Sequence, residues 1–252
     1  MRFDDKITVF AIAVMAGCVA TAAHEAAGHG AACALLGGSI TRLTSVYFQC
    51  SIGSPWIAAG GPLGNLFAFT VAWLGLAFAP AGMVRLRLLL LLLSTFSIFC
   101  FAGYLIYSAL LNDGDIYFVA RDLLGRPGLA LRAAQIALGA ACYWAGIRIM
   151  ATYAVRIFGD PGRARDLLRW SWISASLSAC LAALAYAPGR LGAIGQAALE
   201  IGAASLPMLG RPGAQPEVNR QSSTGIERSS GWIGAAVAIF VLFVATLGRG
   251  LP

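Results

Sequence analysis

Charge is scarce in this chain and lysine nearly missing: Lys6 is the single lysine among 18 basic residues in 252. Only 12% of residues are charged, 59% are hydrophobic and mean hydropathy is +0.76. A soluble globular domain is about a quarter charged, so that class is excluded and a membrane protein is indicated. The basic residues are not interleaved with exposed aromatics, which excludes nucleic acid as a partner. The net charge of +7 is read as a topology signal and as contact with lipid headgroups. The six cysteines (Cys18, Cys33, Cys50, Cys100, Cys142, Cys180) include no C-x-x-C pair and say little about redox compartment. Five lie in apolar runs, where a thiol packs as a small hydrophobe. Cys50, in VYFQCSIGSPW, is the one placed for chemistry. There is no internal repeat and no soluble domain. Histidine occurs twice, both times within AHEAAGHG, residues 23–30.

What is abundant is long apolar segments, several reaching the ~20 residues a helix needs to cross a bilayer. The first predicted helix covers 7–36. Small residues (ATAA) after a basic start resemble a cleavage site, but Asp4 and Asp5 and the apolar continuation through Leu36 favour an uncleaved first span. Gly37-Gly38 ends it. SITRLTSVYFQCSIGSP then alternates apolar and polar residues, as a short hairpin would. Further helices are expected at 56–79, 84–111, 127–158, 170–187 and 231–248, with GDPGRARDLLRW as a basic loop. Residues 191–206, rich in Gly and Ala, make a doubtful span. The expected class is an all-α polytopic membrane protein with about six transmembrane helices and a β-like hairpin after the first. Its parts are a three-helix core (1–126), additional transmembrane helices (127–207), a polar linker (208–230) and a C-terminal transmembrane helix (231–252).

With the N-terminus in the cytoplasm, Arg2, Lys6, Arg85, Arg87, Arg156, Arg163, Arg165 and Arg169 fall inside. Arg42, Arg121, Arg126, Arg132 and Arg190 fall outside, a positive-inside bias. We expect a multi-pass protein of a bacterial inner membrane. Whatever the orientation, His24 and His29 end the first helix, GGPLGN (60–65) opens the second and NDGD (112–115) ends the third. An up-down-up course brings these three polar clusters to one membrane face.

Ionisable groups at membrane depth cost about 2.5–3.5 kcal/mol each, so they face cavities and have partners. Two imidazoles and a carboxylate make a three-ligand zinc site with an open position for water. His24, His29 and either Asp113 or Asp115 supply such a set, and Glu25 is placed to take the water's proton. The spacing is one residue longer than in the familiar zinc signature. Histidines at i and i+5 stand about 140° apart on a regular helix, against about 40° at i and i+4. A π-bulge absorbs the extra residue and restores a shared face, and Ala26, Ala27, Gly28 and Gly30 are small enough to permit it.

AHEAAGHG, GGPLGN and LNDG, in that order over residues 10–120, resemble the site-2 protease family of intramembrane zinc metalloproteases. That family carries H-E-x-x-H, G-P-x-x-N and Asp-Gly elements in successive helices. The resemblance implies zinc ligands His24, His29 and Asp113, Glu25 as catalytic base or acid, and Asn65 positioning substrate or oxyanion. It also implies that residues 39–55 pair with an extended substrate strand. Two features depart from the pattern. The motif is H-E-x-x-G-H, a form similar to that of the dipeptidyl-peptidase III family, and the proline-rich lead-in to the aspartate is absent, so Asp115 competes with Asp113.

The function expected is hydrolysis of a peptide bond in a membrane-embedded or juxtamembrane protein substrate, with Zn2+ as cofactor. Oligomeric state is left open. A catalytically inactive relative that holds a membrane partner would tolerate Glu25→Gln. A metal or ion transporter would need a polar path across the bilayer, whereas the far halves of the first three helices are nearly all apolar. Arg148 is read as snorkelling or paired, Glu200 as interfacial, and Trp56, Trp170, Trp172 and Trp232 as interfacial anchors.

Overall fold

The computed structural model describes residues 4–210 and 225–251. The chain is all-α apart from one small two-stranded sheet. Helix α1 spans Lys6–Leu35. Asp5 caps it, its Oδ2 accepting from the Thr8 amide at 2.9 Å and the Thr8 hydroxyl at 2.7 Å, which satisfies donors the first turn leaves free. Over Ala23–Gly30 the helix widens to the i→i+5 pattern before closing again at Ala31–Leu35. Gly37, at φ +80°, turns the chain out of the helix.

Strands β1 (Ile40–Leu43) and β2 (Phe48–Cys50) form the hairpin the alternating sequence predicts. They pair antiparallel with Leu43 opposite Phe48 and Ile40 opposite Cys50. The outer edge of β1 is taken: Leu43 and Leu251 exchange backbone bonds of 3.0 and 2.8 Å. Among the described residues β2 has no strand on its other side. The hairpin folds back on the end of α1, so that Cys50 meets Cys33 in a disulfide with Cα atoms 6.0 Å apart. This corrects the reading of Cys33 as a packing residue. A pair 17 positions apart carries no spacing signature, and only the hairpin's return brings the thiols together.

Helix α2 (Pro55–Phe78) starts at Ser54, whose Oγ accepts from the Trp56 amide at 3.3 Å, with Pro55 in the first turn. Helix α3 (Val84–Leu111) ends at Asn112, in the left-handed region at φ 55°. A short helix α4 (Asp115–Leu124) follows where the sequence predicted only an end. Then come α5 (Leu129–Phe158), α6 (Pro161–Ala183), α7 (Ala187–Ala203) and α8 (Ser230–Gly248). The expected loop GDPGRARDLLRW is therefore the first turns of α6. Asp160 caps that helix by accepting from the Arg163 amide at 2.6 Å, with Pro161 in its first turn. The arginines masked an Asp-Pro helix start.

Four of these helices, α1, α2, α3 and α8, are long and apolar enough to cross a membrane. A fifth counts by the same measure if α6 and α7, bent by 98°, form one broken span. Length and apolarity alone thus give four or five crossings among the described residues and do not confirm the expected count of about six. Helix α5 is long, but Gln135, Arg132, Arg148 and Arg156 set it apart from the apolar four. The predicted linker falls largely on residues 211–224, outside the described residues.

The apolar windows of α1 and α3 are each 67% buried, against 28% and 22% for α2 and α8, so α1 and α3 form the centre. Val9, Ile12, Leu88, Leu92, Phe96, Phe99 and Phe158 are packed there with 1% exposure or less. Denatured, unreduced protein should take up four equivalents of iodoacetamide, at Cys18, Cys100, Cys142 and Cys180, and all six cysteines should react after reduction. Cys33→Ser should cost about 3 kcal/mol of stability. Uptake at all six without reduction would contradict the pairing.

Candidate metal centre

The site begins with a close approach of two backbones. Helix α2 crosses the widened turn of α1 at its glycines. A Cβ at Gly28 would lie 2.4 Å from the Gly60 carbonyl oxygen, and one at Gly64 would lie 2.2 Å from that of Ala23. No side chain fits between, so GGPLGN meets AAGHG backbone to backbone. At this contact the extra residue of the π turn swings both imidazoles to one side. Their centroids lie 4.9 Å apart with planes at 84°, and both histidines are buried.

Gly61 stands beside them. A methyl group there would fall 2.3 Å from His29 Nε2 and 2.5 Å from His24 Nε2. Glycine therefore keeps clear the space toward which both nitrogens point.

Asp115 supplies the third donor. Gly114, at φ +83°, turns the chain after Asn112, and Asp115 opens α4 facing the histidines. Its Oδ2 lies 3.1 Å from His24 Nε2 and 3.3 Å from His29 Nε2. A tetrahedral zinc ion with bonds of about 2.0–2.1 Å spaces its ligand atoms about 3.3 Å apart. Both distances to Asp115 fit that spacing, and the three donor atoms all lie within 4.8 Å of one another. Burial pushes the Asp115 carboxyl up, but hydrogen bonds from the two imidazoles outweigh it and hold the group well below the usual carboxylate range. It is thereby kept in the anionic form a ligand needs.

Each histidine is oriented through its other nitrogen, as metal-ligating histidines are. His29 Nδ1 lies 2.7 Å from the Ile57 carbonyl oxygen, so that with a cation in place of the Nε2 proton its Nδ1–H would still donate there. The Gly61 amide approaches the same Nδ1 at a longer 3.3 Å. His24 Nδ1 lies 2.8 Å from Asn65 Nδ2, and the buried Asn65 Oδ1 has no hydrogen-bond partner among the described residues. A cation on His24 Nε2 requires the proton on Nδ1. A half-turn of the amide then offers Oδ1 as acceptor for that proton. The rings are also stacked from outside: His24 on Tyr104 at 4.8 Å and His29 on Phe48 at 5.2 Å.

Of the residues singled out in the sequence, His24, His29 and Asp115 come together as a possible metal-binding triad. Asp113 does not join them. It lines the mouth of the same cleft, but its Oδ1 accepts from the Gly114 amide at 2.8 Å and its Oδ2 from the Tyr107 hydroxyl at 3.4 Å. The turn uses Asp113, and two residues of chain reversal bring Asp115 round instead. Asn65 has 0% exposure and holds His24, rather than standing open to a substrate. Glu25 lines the cleft beside the triad, 2% exposed, and its Oε2 has no partner among the described residues. The cleft holds about 740 Å³.

Gly61, Tyr104, Phe48 and the Ile57 carbonyl were missed as site elements, since a glycine, aromatic rings in apolar runs and a backbone oxygen carry no signature. Glu200, read as interfacial, instead accepts from the Tyr104 hydroxyl at 2.7 Å. An acid in an apolar Gly/Ala stretch was the available signal.

The chain matches no family model, no curated protein and no solved structure.

Asp113→Ala should leave the zinc content of purified protein near that of the wild type. Asp115→Ala and Gly61→Ala should lower zinc affinity by tenfold or more. Elemental analysis after dialysis against graded chelator reads both. Loss of zinc in Asp113→Ala with retention in Asp115→Ala would reverse the ligand assignment.

Proposed function

We propose that the protein is a membrane-embedded zinc metallopeptidase, similar in its site to the site-2 protease family, that hydrolyses a peptide bond in an extended membrane-embedded or juxtamembrane segment. The observation that carries this reading is the convergence of His24, His29 and Asp115 beside a buried, unpartnered Glu25 oxygen. His24, His29 and Asp115 would hold the zinc ion, which when bound would supply an acidified water molecule and a Lewis acid for the substrate carbonyl. Glu25 takes the proton as the water oxygen bonds to the carbonyl carbon. It then delivers that proton to the amide nitrogen as the C–N bond breaks, so the acid and base roles fall on one carboxylate.

An open substrate route runs along β2. With the far edge of β1 occupied by Leu251, a substrate strand adds to the Phe48–Cys50 edge by backbone hydrogen bonding. Phe48 stacks on His29, so a strand on that edge lies alongside the triad. Peptide bonds in a helix are closed to attack, and this edge gives an unwound segment a place to bind.

The same reading includes a membrane orientation. Counted with α5 running from the end of α3, where Arg132 meets the Ala109 carbonyl, to the start of α1, where Arg163 meets Asp4, the arginine distribution favours the end of α1 on the side away from the cytoplasm. The Cys33–Cys50 disulfide lies at that end, and disulfides persist in oxidising compartments. Both indications agree on a site that faces outward, on the opposite side from that usual in the family the motifs resemble.

In this account Glu25→Gln keeps zinc and loses turnover by about 10²–10⁴-fold. Zinc content and cleavage of a fluorogenic peptide in detergent micelles measure the two. Full cleavage by Glu25→Gln would remove the base and favour a binding protein.

A further inference from the structure

Beside the cleft lies a second cavity of about 410 Å³ whose surface is chiefly apolar. Its walls include Ile106, Leu110, Tyr143, Leu199 and Ala203, from α3, α5 and the bent segment α7. Tyr104, Tyr107 and Gln196 line both this cavity and the cleft, so the two spaces adjoin. Tyr104 is the shared wall: one face of its ring stacks on His24, and its hydroxyl donates to Glu200 at 2.7 Å. Gln196 Nε2 donates to the same Glu200 oxygen at 2.9 Å. The polar ends of three side chains are thus turned on one another, and what remains toward the cavity is apolar.

We infer that this cavity is the specificity subsite for a large apolar or aromatic side chain next to the bond that lies over the triad. The inference rests on the reading above that the cleft receives an extended peptide. Side chains of a strand alternate between its two faces, so of the two residues flanking the cleaved bond one is aimed across Tyr104 into this space. The volume lies within the ~300–1,000 Å³ of small-ligand pockets. A lipid acyl chain has matching polarity, but the three wall residues shared with the triad cleft favour the substrate. The subsite also gives α7 a role: it closes the far wall and, through Glu200 and Gln196, fixes the ring that stacks on His24.

The test uses zinc-loaded Glu25→Gln protein in detergent micelles and fluorescent peptides carrying Ala, Leu, Phe or Trp at each flanking position. Anisotropy gives Kd without turnover. Phe should bind at least about tenfold more tightly than Ala at one of the two positions, the effect of burying one large apolar side chain. Adding Ala203→Trp, at an exposed wall position, should fill the cavity and bring the Phe-to-Ala ratio near one. Leu199→Ala should lower the ratio by removing wall contact. A ratio near one before either change, or a preference that neither variant alters, overturns the subsite. So does a co-purifying lipid that Ala203→Trp expels while the peptide ratio stays fixed. Hydrolysis is scored separately. Zinc-loaded wild type that binds with the expected preference yet cleaves none of the peptides removes the hydrolase reading and leaves the subsite standing.

Discussion

The contact on which the site depends is the glycine-lined crossing of α1 and α2. Gly28, Gly60 and Gly64 let the two backbones touch where any Cβ would collide with a carbonyl group. That closeness places Gly61 against both imidazoles and the Ile57 carbonyl within reach of His29. It also brings the Asn65 amide to His24. A larger residue at the crossing would separate the helices and disperse the donors together. The widened turn at Ala23–Gly30 is the other half of the same constraint. A regular helix would aim the two histidines apart, and the i→i+5 turn aligns them on the face the glycines leave free.

Most of this was legible in the sequence. Two histidines and a glutamate in an apolar run cost too much to be incidental, and the odd spacing demanded a distorted helix. The up-down-up order fixed which polar clusters could meet. Other parts were not legible. Asp113 and Asp115 are equivalent by position, and only the reversal at Asn112 and Gly114 decides between them. Cys33 and Cys50 are joined by a hairpin return that no spacing rule encodes. The start of α6 lay hidden under arginines, and α5 reads as a span by length while its arginines and Gln135 distinguish it from the four most apolar helices. Glycine at 61 is informative only once the rings beside it are placed.

The parts outside the first three apolar helices serve the site at one remove. The C-terminal segment occupies the free side of β1, which leaves β2 as the edge open to another strand. The disulfide ties that hairpin to the end of α1, fixing β2 and Phe48 relative to His29. Helix α7 turns back at 98° to α6 and places Glu200 against Tyr104. Each histidine ring is therefore braced from two directions, by a hydrogen bond at Nδ1 and by an aromatic face. Such support is what holds a metal's ligands in a fixed geometry.

X-ray absorption at the zinc edge of the purified, metal-replete protein tests the central claim most directly. The account predicts two imidazole nitrogens and low-mass oxygen ligands at about 2.0–2.2 Å in fourfold coordination. A spectrum requiring sulfur ligands, or one that fits a single imidazole in a six-oxygen shell, would contradict it.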